Sequence, residues 1–280
     1  MSTAFNIIND EGLQILGDTH EPSGEATACA IIIHGFKGYK DYGFIPLLAD
    51  DLRAKGVLVH RINLSTSGMT NEIETFARPD LFEIDTWNRQ VDDVRRLVRA
   101  VREGEIPGAG LPLYLIGHSR GGTTALLAGG RYRDELQLSG IATISAVDRC
   151  CRMSEDEHRA MLARGYTITQ SVRTGQELRI DAGWLQEQLD DPEAHAVLLQ
   201  ASRCEVPVRV LHGDADDAVD ISAGQAIAHK LSTPLIVLKD SNHVLNMPNP
   251  SPPDAERSKV MLKTVDEITR LMGVKGSKVT

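Results

Sequence analysis

The sequence predicts an α/β fold with a mostly parallel central sheet and helices on both of its faces. Short strand-like runs recur along the chain: Ala28 to Ile33, which is continuously apolar, then Val57 to Ile62, Leu113 to Ile116, Leu138 to Ser145, Val208 to His212 and Leu235 to Leu238. The first has the pattern of a strand covered on both sides, and the run from Leu113 has the length of a buried strand. Helical patterns alternate with them, and that rhythm implies parallel strands joined by right-handed crossovers. At one junction Gly117-His118-Ser119-Arg120-Gly121 stands between an apolar strand and an Ala/Leu-rich helical pattern. This is the G-x-S-x-G turn that lifts a serine clear of the backbone.

The chain opens with a hairpin pattern, Phe5 to Asn9 and Leu13 to Gly17 around Asp10-Glu-Gly. Ile45 to Lys55 has helical spacing and stops at Gly56. Thr86 to Arg102 is a strongly amphipathic helix: Trp87, Val91, Val94, Leu97, Val98 and Val101 share one face. The rhythm breaks over 148–205, a more polar stretch. It holds an acidic helical piece (Ser154 to Arg164), a hairpin pattern (Tyr166 to Gln170, Glu177 to Ile180) and a helical piece around Trp184, Leu185 and Leu189. The division expected is a core domain of residues 1–147 and 206–280 with a small cap, 148–205, over the strand ends. Long ordered insertions are more often functional than ornamental. Further on, Ser222-Ala-Gly-Gln225 reads as a capping box opening a helix, Ala255 to Met272 as a closing amphipathic helix, and Gly273 to Thr280 as a frayed tail.

Composition narrows the function. A formal net charge of -9 argues against a nucleic-acid surface or a basic membrane patch. The N-terminus lacks a signal-peptide pattern, and no apolar run reaches spanning length. The four cysteines (Cys29, Cys150, Cys151, Cys204) have neither metal-ligand nor CxxC spacing, so a reduced, cytoplasmic protein is expected. No cofactor and no metal are expected: the aspartates after His212 lack the glycine and terminal glutamate of a calcium loop, and no histidine pair has zinc spacing.

A serine hydroxyl needs a base, and the base needs a carboxylate to fix its tautomer. In an open α/β sheet these groups belong after the C-terminal ends of strands. Asp214, Asp216, Asp217 and Asp220 follow the strand ending at His212, and His243 follows the strand ending at Leu238. The order Ser, Asp, His is the one this architecture uses. The bland reading of Ser119 is a helix cap. Those of His34 and His118 are loop bracing and packing.

On His34-Gly-Phe-Lys-Gly, Gly117-His-Ser-Arg-Gly-Gly, His212-Gly-Asp-Ala-Asp-Asp-Ala-Val and Asn242-His, the chain resembles an α/β-hydrolase from Ala28 to Met272. It looks close to the dienelactone-hydrolase-like or cinnamoyl (feruloyl) esterase-like serine hydrolases. The resemblance implies an α/β-hydrolase fold and a triad of Ser119, His243 and Asp216, the last from the pattern H-G-x-x-D-x-x-V. It also implies an oxyanion hole made by the backbone N–H groups of Phe36 and Arg120. Dienelactone hydrolases use a cysteine nucleophile, so Ser119 favours an esterase. Of twelve aromatic residues, Phe36, Tyr39, Tyr42 and Phe44 fall in or just after the first of these loops. Phe36 and Tyr39, with Trp184 from the cap, are the expected substrate-binding residues, and the expected partner is a small-molecule ester. Thioesterase, acyltransferase, peptidase and cofactor-free haloperoxidase chemistry, or a non-catalytic ligand-binding module, are the rival readings.

Overall fold

The architecture follows from how the apolar runs hide both faces of one sheet. A computed structural model describes residues 2–274. In chain order, β1 (Ser2–Ile8), β2 (Gln14–His20), β3 (Ala28–Ile33), α1 (Ile45–Ala54) and β4 (Val57–Asn63) come first. They are followed by α2 (Pro79–Glu83), α3 (Trp87–Glu103), β5 (Leu113–His118), α4 (Arg120–Arg131), α5 (Arg133–Leu136) and β6 (Gly140–Ile144). Next come α6 (Glu155–Arg164), β7 (Tyr166–Gln170), β8 (Glu177–Asp181), α7 (Gly183–Asp190) and α8 (Val197–Arg203). The chain closes with β9 (Val208–Gly213), α9 (Ile221–Lys230), β10 (Leu235–Leu238) and α10 (Lys259–Leu271).

Eight strands form one sheet in the order β1-β2-β4-β3-β5-β6-β9-β10. Pairing is antiparallel for β1 with β2 and β2 with β4, and parallel from β4 to β10. Alternating side chains of β3 feed two separate cores. Cys29, Ile31 and Ile33 join the apolar faces of α3, α4 and α9. Ala28, Ala30 and Ile32 join α1 and α10 on the opposite face. On α3, Val91, Val94, Leu97, Val98 and Val101 are buried, each stabilising the fold by roughly 1.5–3 kcal/mol. Thr86 caps that helix by accepting from the Arg89 amide.

Two helix starts differ from the sequence reading. Asp220, not Ser222, caps α9 by accepting from the Ser222 amide, because its carboxylate lies outside the first turn where a cap must be. α10 begins at Lys259 rather than Ala255: Ser258 accepts from the Met261 amide, and the prolines at 252 and 253 precede that cap. The short α2, α5 and α8 carry too few turns to show a period. The tail beyond residue 274 lies outside the described residues.

Between β6 and β9 the chain leaves the sheet. α6 opens with a full capping box, Ser154 with Glu157, and β7 and β8 pair as an antiparallel hairpin. Gln176 of the hairpin turn accepts from Thr75 Oγ1 and the Phe76 amide. Glu187 of α7 accepts from the Trp87 amide at the start of α3. The stretch is thereby tied to the segment preceding α3. α8 returns to the sheet layers and packs on α4, where Gly130 meets the Gln200 backbone.

Candidate active site

Ser119 occupies the turn between β5 and α4 with φ 53° and ψ −125°, a backbone conformation costly for any side-chain-bearing residue. The turn closes that tightly because its flanking glycines leave no Cβ. A Cβ on Gly117 would stand 2.3 Å from the Gly121 carbonyl oxygen, and one on Gly121 would stand 2.4 Å from those of Ile33 and His34. Ser119 does not cap the helix it precedes. The capping explanation for a serine here therefore fails.

The loop after β3 lies directly over this turn. A Cβ on Gly35 would come within 2.9 Å of Ser119 Cβ and 3.4 Å of its Oγ. His34 braces that loop: its Nδ1–H donates to the Gly35 carbonyl at 2.8 Å, and Nε2 accepts from the Leu64 amide at 3.2 Å. Those two bonds require the neutral imidazole, and burial lowers the His34 pKa to about 4. Among the described residues the amides of Phe36 and Arg120 donate to no protein acceptor.

His243 pairs with Asp216, its Nδ1 lying 2.8 Å from Oδ2 and 3.0 Å from Oδ1. Burial opposes the Asp216 charge. The His243 hydrogen bond and the Val219 amide outweigh it and hold the carboxyl well below its usual range. The neighbouring aspartates are occupied elsewhere or turned to solvent: Asp214 accepts from the Asp240 amide, Asp220 caps α9, and Asp217 is exposed. His212 fastens the acid loop by donating from Nε2 to the Val219 carbonyl at 2.8 Å.

His118, beside the serine, reaches across to the other loop. Its Nε2 lies 2.8 Å from the His243 carbonyl, so Nε2 carries the proton, and the two rings stand 4.7 Å apart. Burial and the neighbouring His243 lower its pKa to about 3. Ser119 and His243 are thus linked through His118. Neither Ser119 Oγ nor His243 Nε2 makes a hydrogen bond among the described residues, so the bond between the two is not formed in this structure.

Two features escaped the sequence reading. The Arg120 guanidinium is buried 3.2 Å from Asp85 and lies over the Trp87 ring at 4.5 Å and the Phe36 ring at 5.5 Å. Asp85 also accepts from Thr66 Oγ1 and Gln90 Nε2. The available signal was an arginine beginning an otherwise apolar and small-residue helix. The second feature is the tie between His118 and the loop of His243.

The aromatic residues divide. Phe36 is 40% exposed and, with Tyr42, lines a 530 Å³ cleft completed by Lys37, Ser171, Val172, Arg173 and Asn249. Tyr39 is only 1% exposed, lying beneath Tyr42 and Arg173 in a cluster with Met69, Phe76 and Phe82. It supports the cleft from below instead of lining it. Trp184 packs against the core on the α3 and α4 side and is not part of the cleft wall.

A serine on a strained strand–helix turn and an Asp–His pair from the two strands beyond it stand on a mostly parallel sheet, the arrangement of the α/β-hydrolase fold. Residues 24–150 match the family model of the serine aminopeptidases, S33. Among solved structures, the chain is similar to Est1E from Butyrivibrio proteoclasticus (18% identity, TM-score 0.67, 97% of this chain and 99% of that one). It is also similar to a dienelactone hydrolase from Anabaena variabilis (15% identity, TM-score 0.63, 98% and 97%) and to the α/β hydrolase GrgF from Penicillium (14%, 0.71, 98% and 99%). A structure of Est1E holds ferulic acid. No curated protein matches the sequence.

Proposed function

We propose that the protein is a serine hydrolase that cleaves carboxylic esters of small or aromatic acyl groups. The single observation that carries this reading is the pairing of a strained, non-capping Ser119 with an Asp216–His243 couple reached across the elbow through His118. In the reading, His243 takes the Ser119 proton as the hydroxyl attacks the ester carbonyl. The Phe36 and Arg120 amides hold the oxyanion, His243 then protonates the leaving alcohol, and a water activated by the same ring releases the acid. Asp216 keeps the His243 proton on Nδ1, leaving Nε2 free to act as base. Catalytic hydrogen bonds are commonly long in unliganded enzymes and tighten around substrate, which accommodates the open Ser119–His243 gap. The similarity to Est1E and to a dienelactone hydrolase supports hydrolysis as the class of reaction.

The part of 148–205 that precedes α8 acts in this reading as a cap. Its hairpin approaches the loop of Phe36, with Lys37 Nζ donating to the Gln170 carbonyl at 2.6 Å. The test is labelling with a fluorophosphonate together with turnover of aryl esters. The adduct is expected on Ser119, and Ser119→Ala should lose ~10³-fold or more of the hydrolysis while remaining folded. An unlabelled Ser119, or turnover that survives its removal, excludes the mechanism.

A further inference from the structure

The cleft beside Phe36 and Tyr42 contains groups that simple ester hydrolysis leaves unused. It adjoins the elbow, because the Tyr42 ring stacks 6.5 Å from His118 and Phe36 is the residue after Gly35. Two cations enter it from segments far apart in sequence, Lys37 from the loop after β3 and Arg173 from the turn between β7 and β8. Lys37 Nζ lies 5.2 Å from the Phe36 ring centre, and Arg173 lies over the rings of Tyr39 and Phe76 at 4.8 and 5.6 Å. Their polar contacts are to neutral acceptors, the Gln170 carbonyl for Lys37 and the Ile73 carbonyl and Met69 Sδ for Arg173. Ring faces and carbonyls hold a cation in place without neutralising it. Among the described residues no carboxylate lines the cleft, although the chain carries a formal net charge of -9. Many other arginines stand against carboxylates, as Arg95 does with Glu135 and Arg96 with Glu105, while Arg102, Arg131 and Arg164 donate, like Arg173, to neutral acceptors.

Lys37 adds two further signs. Its φ of 58° lies in the left-handed region, where glycine fits without strain, yet a long cationic side chain is present. Partial burial lowers its pKa, a penalty that an incoming anion would relieve. Ser171 and Asn249 border the same space, whose 530 Å³ suits a small ligand.

We propose that this cleft binds a carboxylate on the substrate, so that the preferred esters are hemiesters of dicarboxylic acids, with the ionised carboxylate held between Lys37 and Arg173. The proposal rests on the serine-hydrolase reading for the cleavage step but not for binding, and the two are tested separately. Hydrolysis of 4-nitrophenyl hydrogen glutarate is compared with that of 4-nitrophenyl valerate, a neutral ester of similar length. The ratio of their kcat/KM values, corrected for intrinsic hydrolysis, is expected to favour the anion by ~10-fold or more and to shrink in added salt. Lys37→Gln and Arg173→Gln should each lower that ratio at least several-fold, whereas Lys37→Arg and Arg173→Lys should preserve most of it.

Binding is read by calorimetry in Ser119→Ala, with monomethyl glutarate against methyl valerate as probes. The anion is expected to bind ~10-fold more tightly, with the difference largely lost when Arg173→Gln is added. A neutral probe that binds as well as the anion overturns the proposal, as does a preference unchanged in both glutamine variants. If no ester is cleaved, the hydrolase reading fails, and the calorimetric comparison still decides this one.

Discussion

Three aspartates within four residues could each have served His243, and the choice among them is made by backbone contacts. Asp216 receives the amides of Ala218 and Val219 on Oδ1, which turns the carboxylate inward toward the imidazole. Asp217 has no such anchor and faces solvent. Under the proposed function, Asp216→Asn is therefore expected to cut kcat for ester hydrolysis by ~10³-fold or more, because an amide no longer enforces the required tautomer. Asp217→Asn should stay within about threefold of wild type, since surface substitutions away from a site are usually near neutral. Steady-state kinetics of the two purified variants checks the ranking, and a more damaged Asp217 variant would reassign the acid. At the same scale, His118, His34 and His212 each donate to a backbone carbonyl next to or within a loop of the site. They act as neutral pins, each ring committed to a carbonyl, which fits the proposal that His243 is the base.

Elements meet here through small residues as much as through large ones. α4 must approach β3 at its start and α8 at its end, and glycine permits both contacts. A Cβ on Gly130 would stand 2.1 Å from the Gln200 carbonyl oxygen, a backbone atom that cannot swing aside. Gly130→Ala should therefore push α8 off α4 and lower stability by roughly 1–3 kcal/mol. Gly24→Ala, with open space around it, should stay near neutral. Thermal melts of the pair measure the difference, and equal melting temperatures would mean that α8 adapts freely. The same packing marks α8 as a helix of the sheet layers, whereas α6, the β7–β8 hairpin and α7 stand off the sheet. The capping-box motif at Ser222 shows how an element boundary misleads: S-x-x-Q fits the motif, but Asp220 lies nearer the true start and takes the role.

Across the whole molecule, folding depends on imidazoles that stay neutral. Burial lowers the pKa of His34 and His60 to about 4, and burial with the nearby His243 lowers that of His118 to about 3, all from an ordinary 6.5. A depressed folded pKa means the unfolded chain binds protons first as the pH drops. Their contribution is thus complete above pH 6.5 and is lost as the pH falls toward 4 and below. Unfolding free energy measured by denaturant titration should fall over that window by on the order of several kcal/mol. His60→Gln should flatten the slope; an unchanged slope would show that His60 contributes no such linkage. Asp93 works in the opposite sense. Burial raises its pKa to about 7, so its contribution is greatest below the ordinary 3.8 and is lost as the pH rises through 7.

Local chemistry settled much of this protein before any tertiary contact. Six parallel-type strands, the hairpin, the helix after Thr86 and the elbow at Ser119 are all written in short-range patterns of apolar spacing, glycine and caps. Those patterns report what a segment can become on its own. Which aspartate faces His243, why Tyr39 lies below the cleft wall while Phe36 forms part of it, and where Arg120 finds Asp85 depend on segments brought together by the sheet. No local periodicity encodes those meetings, because burial and partner choice are decided by the neighbours the fold supplies. The two cations beside Phe36 belong to the same class: residues 37 and 173 acquire a joint role only once the hairpin docks over the loop.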